Sequence, residues 1–163
     1  MNSEKFEVRR DVPVASKDLK MGWGSDAIAE MLRALKVPYV IVNPGSSFRG
    51  LHDSIVNYLG NERPQMLLVL HEEHAVSIAH GYSKVTGLPL AAILHSNVGL
   101  MHATMAIYNA WCDRAPVLVL GATGPVDAAK GDPGLTGYTP RRIRVRLFAL
   151  LLSGMLNLPR WKP

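Results

Sequence analysis

The sequence predicts an α/β fold, a parallel sheet with helices on both faces and an incomplete C-terminal part. Three observations predict it. Four short apolar runs, at residues 39–42, 66–70, 90–94 and 117–120, have strand length and contain no charge. The segments between them carry apolar residues three and four apart and end in helix stop signals. Each run closes in a polar or glycine-bearing turn. Strands that are apolar at every position read as buried on both faces, the habit of parallel sheets.

In chain order, Ser25 is the expected cap of a first helix through Ala27, Ile28, Met31, Leu32 and Leu35. Pro38 follows it, then the strand Tyr39-Val40-Ile41-Val42 and the turn Asn43-Pro44-Gly45-Ser46-Ser47. A second helix is expected over residues 49–59, and a polar loop over 61–65. The run Met66-Leu67-Leu68-Val69-Leu70 reads as a strand buried on both faces. A helix over residues 73–85 ends at Gly87, with Pro89 beyond. Leu90-Ala91-Ala92-Ile93-Leu94 is the next buried strand, His95-Ser96-Asn97-Val98-Gly99 a polar turn, and a helix then runs to Cys112. Val117-Leu118-Val119-Leu120 is the last clear strand. The whole sheet is expected to hold about five or six strands with right-handed crossovers.

With 163 residues the chain makes one domain, and 48% hydrophobic content excludes disorder. The lone Cys112 cannot pair within the chain, which points to a reducing compartment and a cytoplasmic location. The net charge of +5 does not point to nucleic acid. All 13 acidic residues precede Pro133, whereas residues 133–163 carry six basic residues and no acidic one. The body therefore lacks the basic stripe of a nucleic-acid domain. Residues 1–11 are charged, so no signal peptide is read. The longest apolar run, residues 147–156, falls far short of the ~20 residues a membrane span needs.

Ligands of open α/β sheets bind beyond the carboxyl ends of the strands. Candidate chemistry therefore lies in residues 43–47, 71–74, 95–99 and 121–124. His71-Glu72-Glu73-His74 has its histidines three apart, not the four apart of a zinc-protease helix, and no metal site is assigned. Its bland reading is a strand-to-helix turn with carboxylates at a helix N-terminus.

Three motifs in order carry a family resemblance. They are Asn43-Pro44-Gly45-Ser46; His71-Glu72-Glu73-His74-Ala75 followed by Gly81-Tyr82; and Leu94-His95-Ser96-Asn97-Val98-Gly99 with Asn109-Ala110-Trp111 after it. Together they resemble the pyrimidine-binding domain of thiamine diphosphate enzymes of the acetolactate synthase and benzoylformate decarboxylase group. The resemblance covers residues 22–130, after an N-terminal extension at 1–21.

The resemblance implies thiamine diphosphate as cofactor and a small 2-oxo acid as substrate, in a lyase or transferase reaction. It implies that Glu72 bonds N1′ of the aminopyrimidine and so activates it for ylid formation at the thiazolium. A carboxyl shielded from water, with Leu68 to Leu70 behind it and a raised pKa, is the expected setting. Pro44 and Gly45 fall on the cofactor side. Ser46 would bond a substrate carboxylate, or is a plain turn serine. His95 would face the substrate and move protons, a role that imidazole chemistry suits, or caps the following helix. His71 is a structural histidine or a neighbour of the cofactor. Glu73 reads as surface charge, His74 and His80 as surface or interface groups, and His52 and His102 receive no role.

The family's second domain binds diphosphate and Mg²⁺ through Gly-Asp-Gly and Asn-Asn elements. Here Gly131-Asp132-Pro133 and a lone Asn157 do not repeat them. The chain is thus expected to be a fragment, inactive alone, working as a homo-oligomer or with a partner diphosphate-binding domain. The alternative is a non-catalytic binding module. Residues 131–163 read as a divergent basic and apolar tail. Resemblance, charge balance and periodicity all break near Lys130, and a shifted reading frame accounts for the three together.

Overall fold

The computed structural model describes residues 12–13, 20–96 and 98–122. The expected tail at 131–163 lies outside the described residues, as does most of the expected extension at 1–21. Within them the order is α1 (Gly24–Ala34), β1 (Tyr39–Val42), a 3-10 turn (Ser46–Phe48), α2 (Arg49–Asp53), a π-helical turn (Ser54–Tyr58), β2 (Gln65–Leu68), α3 (Glu72–Thr86), β3 (Leu90–Leu94), α4 (Val98–His102), α5 (Thr104–Cys112) and β4 (Val117–Gly121).

The four described strands form one all-parallel sheet in the order β2-β1-β3-β4. Val40 pairs with Met66 on one side and Ala91 on the other, and Ala92 pairs with Val119. β3 is buried at all five positions, the state of a strand covered on both faces. α3 packs on β1, β3 and β4 beside α5, while α1, α2 and the π-helical turn form a second packed group. Val40, Ile41, Ile55, Val76, Ile93 and Leu94 fill the core between.

Four expectations need correction. β2 is not buried on both faces. It ends the described sheet, and Leu68 is 55% and Leu70 93% exposed. An apolar run marks a strand but does not say whether both faces are covered. Second, Ser25 does not cap α1. The Asp26 carboxylate reaches back to accept the N–H groups of Gly22 (3.0 Å) and Trp23 (2.9 Å). Third, α1 buries Asp26, Ala29 and Leu32, leaving Ile28, Met31 and Leu35 exposed. Finally, the single helix expected over 49–59 changes to π-helical winding at Ser54, whose buried hydroxyl meets Asp26 Oδ1 at 2.7 Å.

α3 follows its sequence signals. It starts one residue earlier than expected, at Glu72, because His71 is extended and its Nδ1 accepts the Glu73 N–H at 3.2 Å. It stops at Gly87, whose φ of 72° is the left-handed conformation that glycine adopts without strain. The helix expected to reach Cys112 is interrupted at Ala103 and so divides into α4 and α5.

Candidate functional site

The loops after β1, β2 and β3 meet at the carboxyl edge of the sheet. In the order 2-1-3-4 the direction of winding reverses between β1 and β3, the place where open sheets gather ligands. The loop after β1 brings residues 43–47. The link after β2 brings His71 and Glu72 at the start of α3, and the loop after β3 brings His95 and Ser96 and leads into α4.

Glu72 is 3% exposed although it is the first residue of α3. Burial acts most strongly on its carboxyl and pushes the pKa up. Its own backbone N–H, the Asn43 side chain and His102 all favour the charged form, and together they hold it below the ordinary carboxylate value. This corrects the expected raised pKa. It also corrects the expected shield, because Leu68 and Leu70 are exposed. Glu72 is instead enclosed from α4. A Cβ on Gly99 would lie 2.8 Å from Glu72 Oε1, 3.0 Å from its Cγ and 3.1 Å from His95 Cβ. Only a residue without a side chain leaves the carboxylate that room.

His95 is half-buried and makes its described bond through Nδ1, which lies 2.5 Å from Ser47 Oγ. The Ser96 N–H also approaches that hydroxyl, at 3.4 Å. Gly45 lies against the ring. A Cβ there would come 2.8 Å from His95 Nδ1. Glu72 and His95 are thus brought together across Gly99. Pro44 and Ser46 are exposed on the loop that carries Gly45. Ser46 starts the 3-10 turn.

His102 Nδ1 stands 3.4 Å from Glu72 Oε2, with 54% of its side chain exposed. Its ring stacks on His71 at a centroid distance of 4.8 Å. One ligand atom from each of His71, Glu72 and His102 falls within 4.8 Å of the others. Hydrogen bonds explain this cluster without an ion. His71 Nδ1 is the acceptor that caps α3, and His102 faces the carboxylate. The nitrogen-rich set also does not match the oxygen ligands of Mg²⁺.

Sequence reasoning missed four contributors: Asn43, Ser47, Gly99 and His102. Asn43 and Ser47 belong to the motif already singled out. His102 lies three residues after Gly99, on one side of a helix, which was the available signal. Away from the site, His74 and Glu73 are exposed as expected, and His80 bonds Asp113 at 2.9 Å. Asn97 lies outside the described residues. No described helix is long and apolar enough to cross a membrane.

The sequence model described as thiamine pyrophosphate enzyme, N-terminal TPP binding domain, matches residues 22–143. The acetolactate synthase large subunit of Lactococcus lactis is 32% identical over 108 residues, 66% of this chain and 18% of that protein. The acetolactate synthase large subunit of Haemophilus influenzae is 31% identical over 97 residues, 60% of this chain and 16% of that protein. Among solved structures, benzoylformate decarboxylase from Polynucleobacter necessarius superimposes with a TM-score of 0.57 at 25% identity, over 69% of this chain and 20% of that one. The chain therefore spans less than a fifth of the length of these curated relatives.

Proposed function

This chain belongs to the thiamine pyrophosphate enzymes by its N-terminal TPP binding domain, and from that premise we propose that Glu72 is the carboxylate that engages the cofactor's aminopyrimidine in a 2-oxo-acid decarboxylase or acetolactate synthase-like enzyme. The observation that carries the reading is a carboxylate 3% exposed at the ligand-gathering edge of the sheet, held anionic and beside His95. A buried carboxylate with bare backbone next to it fits the polar end of an aminopyrimidine. When bound, thiamine diphosphate supplies the nucleophilic carbon for chemistry on 2-oxo acids.

The chain's own residues do the rest of the work on this side of the site. Glu72 would face N1′ of the bound aminopyrimidine, where a carboxylate accepts a hydrogen bond only when that nitrogen carries a proton, and would so favour that form. Asn43 and His102 hold the carboxylate charged and in place. Pro44 and Gly45 offer backbone to the cofactor, Ser46 offers a hydroxyl to the substrate carboxylate, and His95 exchanges protons with the substrate. Gly131-Asp132-Pro133 and a lone Asn157 do not repeat the family's Gly-Asp-Gly and Asn-Asn elements, which supports assigning the diphosphate and its ion to another domain, in a homo-oligomer or a partner chain. The domain is inactive by itself on this reading, and its setting is the cytoplasm.

The test pairs this domain with a diphosphate-binding domain and follows hydrogen–deuterium exchange at C2 of bound thiamine diphosphate. Glu72→Gln slows exchange by orders of magnitude while circular dichroism stays unchanged. Exchange at the normal rate in a folded variant overturns the assignment.

A further inference from the structure

We propose that Ser47 holds His95 as the neutral tautomer with its proton on Nε2, so that the site presents a hydrogen-bond donor to an oxygen of its ligand. For the ligand's identity, a 2-oxo acid, this rests on the reading above; the tautomer rests on geometry alone.

Ser47 Oγ lies 2.5 Å from His95 Nδ1 and 3.4 Å from the Ser96 nitrogen. A serine hydroxyl has one proton to give and lone pairs to receive. The Ser96 N–H can only donate, so it uses a lone pair. If Nδ1 also carried a proton, Oγ would accept twice, and its own proton would have no acceptor among the described residues. With Nδ1 bare, the hydroxyl donates to the ring and accepts from Ser96, and all three groups at this contact are paired. A neutral imidazole has one N–H, which then sits on Nε2.

The ring is closely packed, and its bond to Ser47 sets its orientation. The Gly45 backbone lies so near that a Cβ there would meet Nδ1 at 2.8 Å, Cγ at 3.0 Å and Cε1 at 3.2 Å. Gly99 closes on His95 Cβ from α4. Turning the ring over would replace Nδ1 by a carbon opposite Ser47 and lose the bond. Ser47 is accordingly a positioning residue. It fixes which nitrogen carries the proton through its bond to Nδ1. Nε2, across the ring from Ser47, is left to donate to a carboxylate or keto oxygen, both acceptors of a 2-oxo acid.

The test is a two-bond ¹H–¹⁵N correlation spectrum of the ¹⁵N-histidine-labelled full chain at about pH 8, above the ordinary imidazole range. His95→Gln identifies the His95 signals among the six histidines. The wild-type ring shows the Nε2–H pattern. Ser47→Ala shifts the tautomer ratio toward Nδ1–H by about fivefold, the effect of one net hydrogen bond, and Ser47→Thr restores it. A wild-type Nδ1–H pattern overturns the proposal, as does an unchanged ratio in folded Ser47→Ala. If Ser47→Ala does not fold, the wild-type and Ser47→Thr patterns decide. No cofactor is present in this experiment. A failure here is therefore distinct from a failure of the Glu72 exchange test.

Discussion

Gly99→Ala is the perturbation that interrogates the site most directly. Its Cβ would stand 2.8 Å from Glu72 Oε1, closer than real Cβ contacts, and 3.0 Å from Glu72 Cγ, tighter than most of them, so the carboxylate must move. Overpacking of this kind costs about 1–3 kcal/mol. Alanine in a helix returns at most about 1 kcal/mol over glycine. The clash outweighs the return over most of that range, and the variant loses up to about 2 kcal/mol, a fall in Tm of up to roughly 10 °C for a domain near 100 residues. Gly81→Ala is the control. It also lies within a helix, but its Cβ would meet nothing within 4 Å. It should gain about 0.5–1 kcal/mol. Thermal and urea denaturation measure both. A second arm repeats Gly99→Ala in a Glu72→Ala background, where the offended atoms are gone. The two substitutions should then couple by about 1 kcal/mol or more. If Gly99→Ala is as stabilising as Gly81→Ala, or is additive with Glu72→Ala, Gly99 does not seat the carboxylate.

Removing the His102 ring by His102→Ala takes away a hydrogen bond and a favourable charge from Glu72. The Glu72 carboxyl should then titrate at higher pH, read by ¹³C NMR of labelled glutamate; an unmoved titration would show that the 3.4 Å contact is idle. The bonds from Gly22, first, and then Ser54 lower the pKa of Asp26, so its contribution is present above about pH 3.9, the unfolded value, and is lost as pH falls through the lower folded value. Asp26→Ala should cost about 1–2 kcal/mol at neutral pH and flatten the acid limb of a stability–pH curve, whereas an unchanged limb would remove Asp26 from that role. At Gly87, with φ of 72°, alanine should cost about 1 kcal/mol by urea unfolding. Calorimetry of the chain with thiamine diphosphate and Mg²⁺ should give no micromolar binding, and such binding would place a phosphate site within this chain.

Much of the frame could be read from the sequence because single rules governed it. β3 and all of β1 but Tyr39 are apolar runs that end up buried, and α3 carries its own stop at Gly87. Where two burial patterns give the same letters, reading failed. β2 has the composition of a central strand but ends the described sheet. α1 offers two apolar stripes, and tertiary packing selected the one with Ala29 and Leu32 over the one with Ile28, Met31 and Leu35. At the site, Glu72 and His95 stood out because their motifs flank strand ends. Ser47 and His102 did not. Their partners lie 48 and 30 residues away, and only the folded sheet sets the distances. The pKa of Glu72 was misjudged for the same reason, since burial could be guessed but Asn43 and His102 could not.

The β1–β3 pairing makes the Ser47–His95 bond a gauge of strand registration. Val40 faces Ala91, Ile41 faces Ala92 and Val42 faces Ile93, and a few residues further along each chain the hydroxyl meets the imidazole. A slip of one residue would displace the two loops by about 3.3 Å and turn each slipped side chain to the opposite face. A 2.5 Å contact cannot survive such a step. The same slip would carry the Gly45 backbone away from the ring it abuts. Misaligned forms of the sheet would therefore lack a formed site, so a loop-level signal such as the His95 ring resonance would count correctly threaded molecules in a refolding mixture.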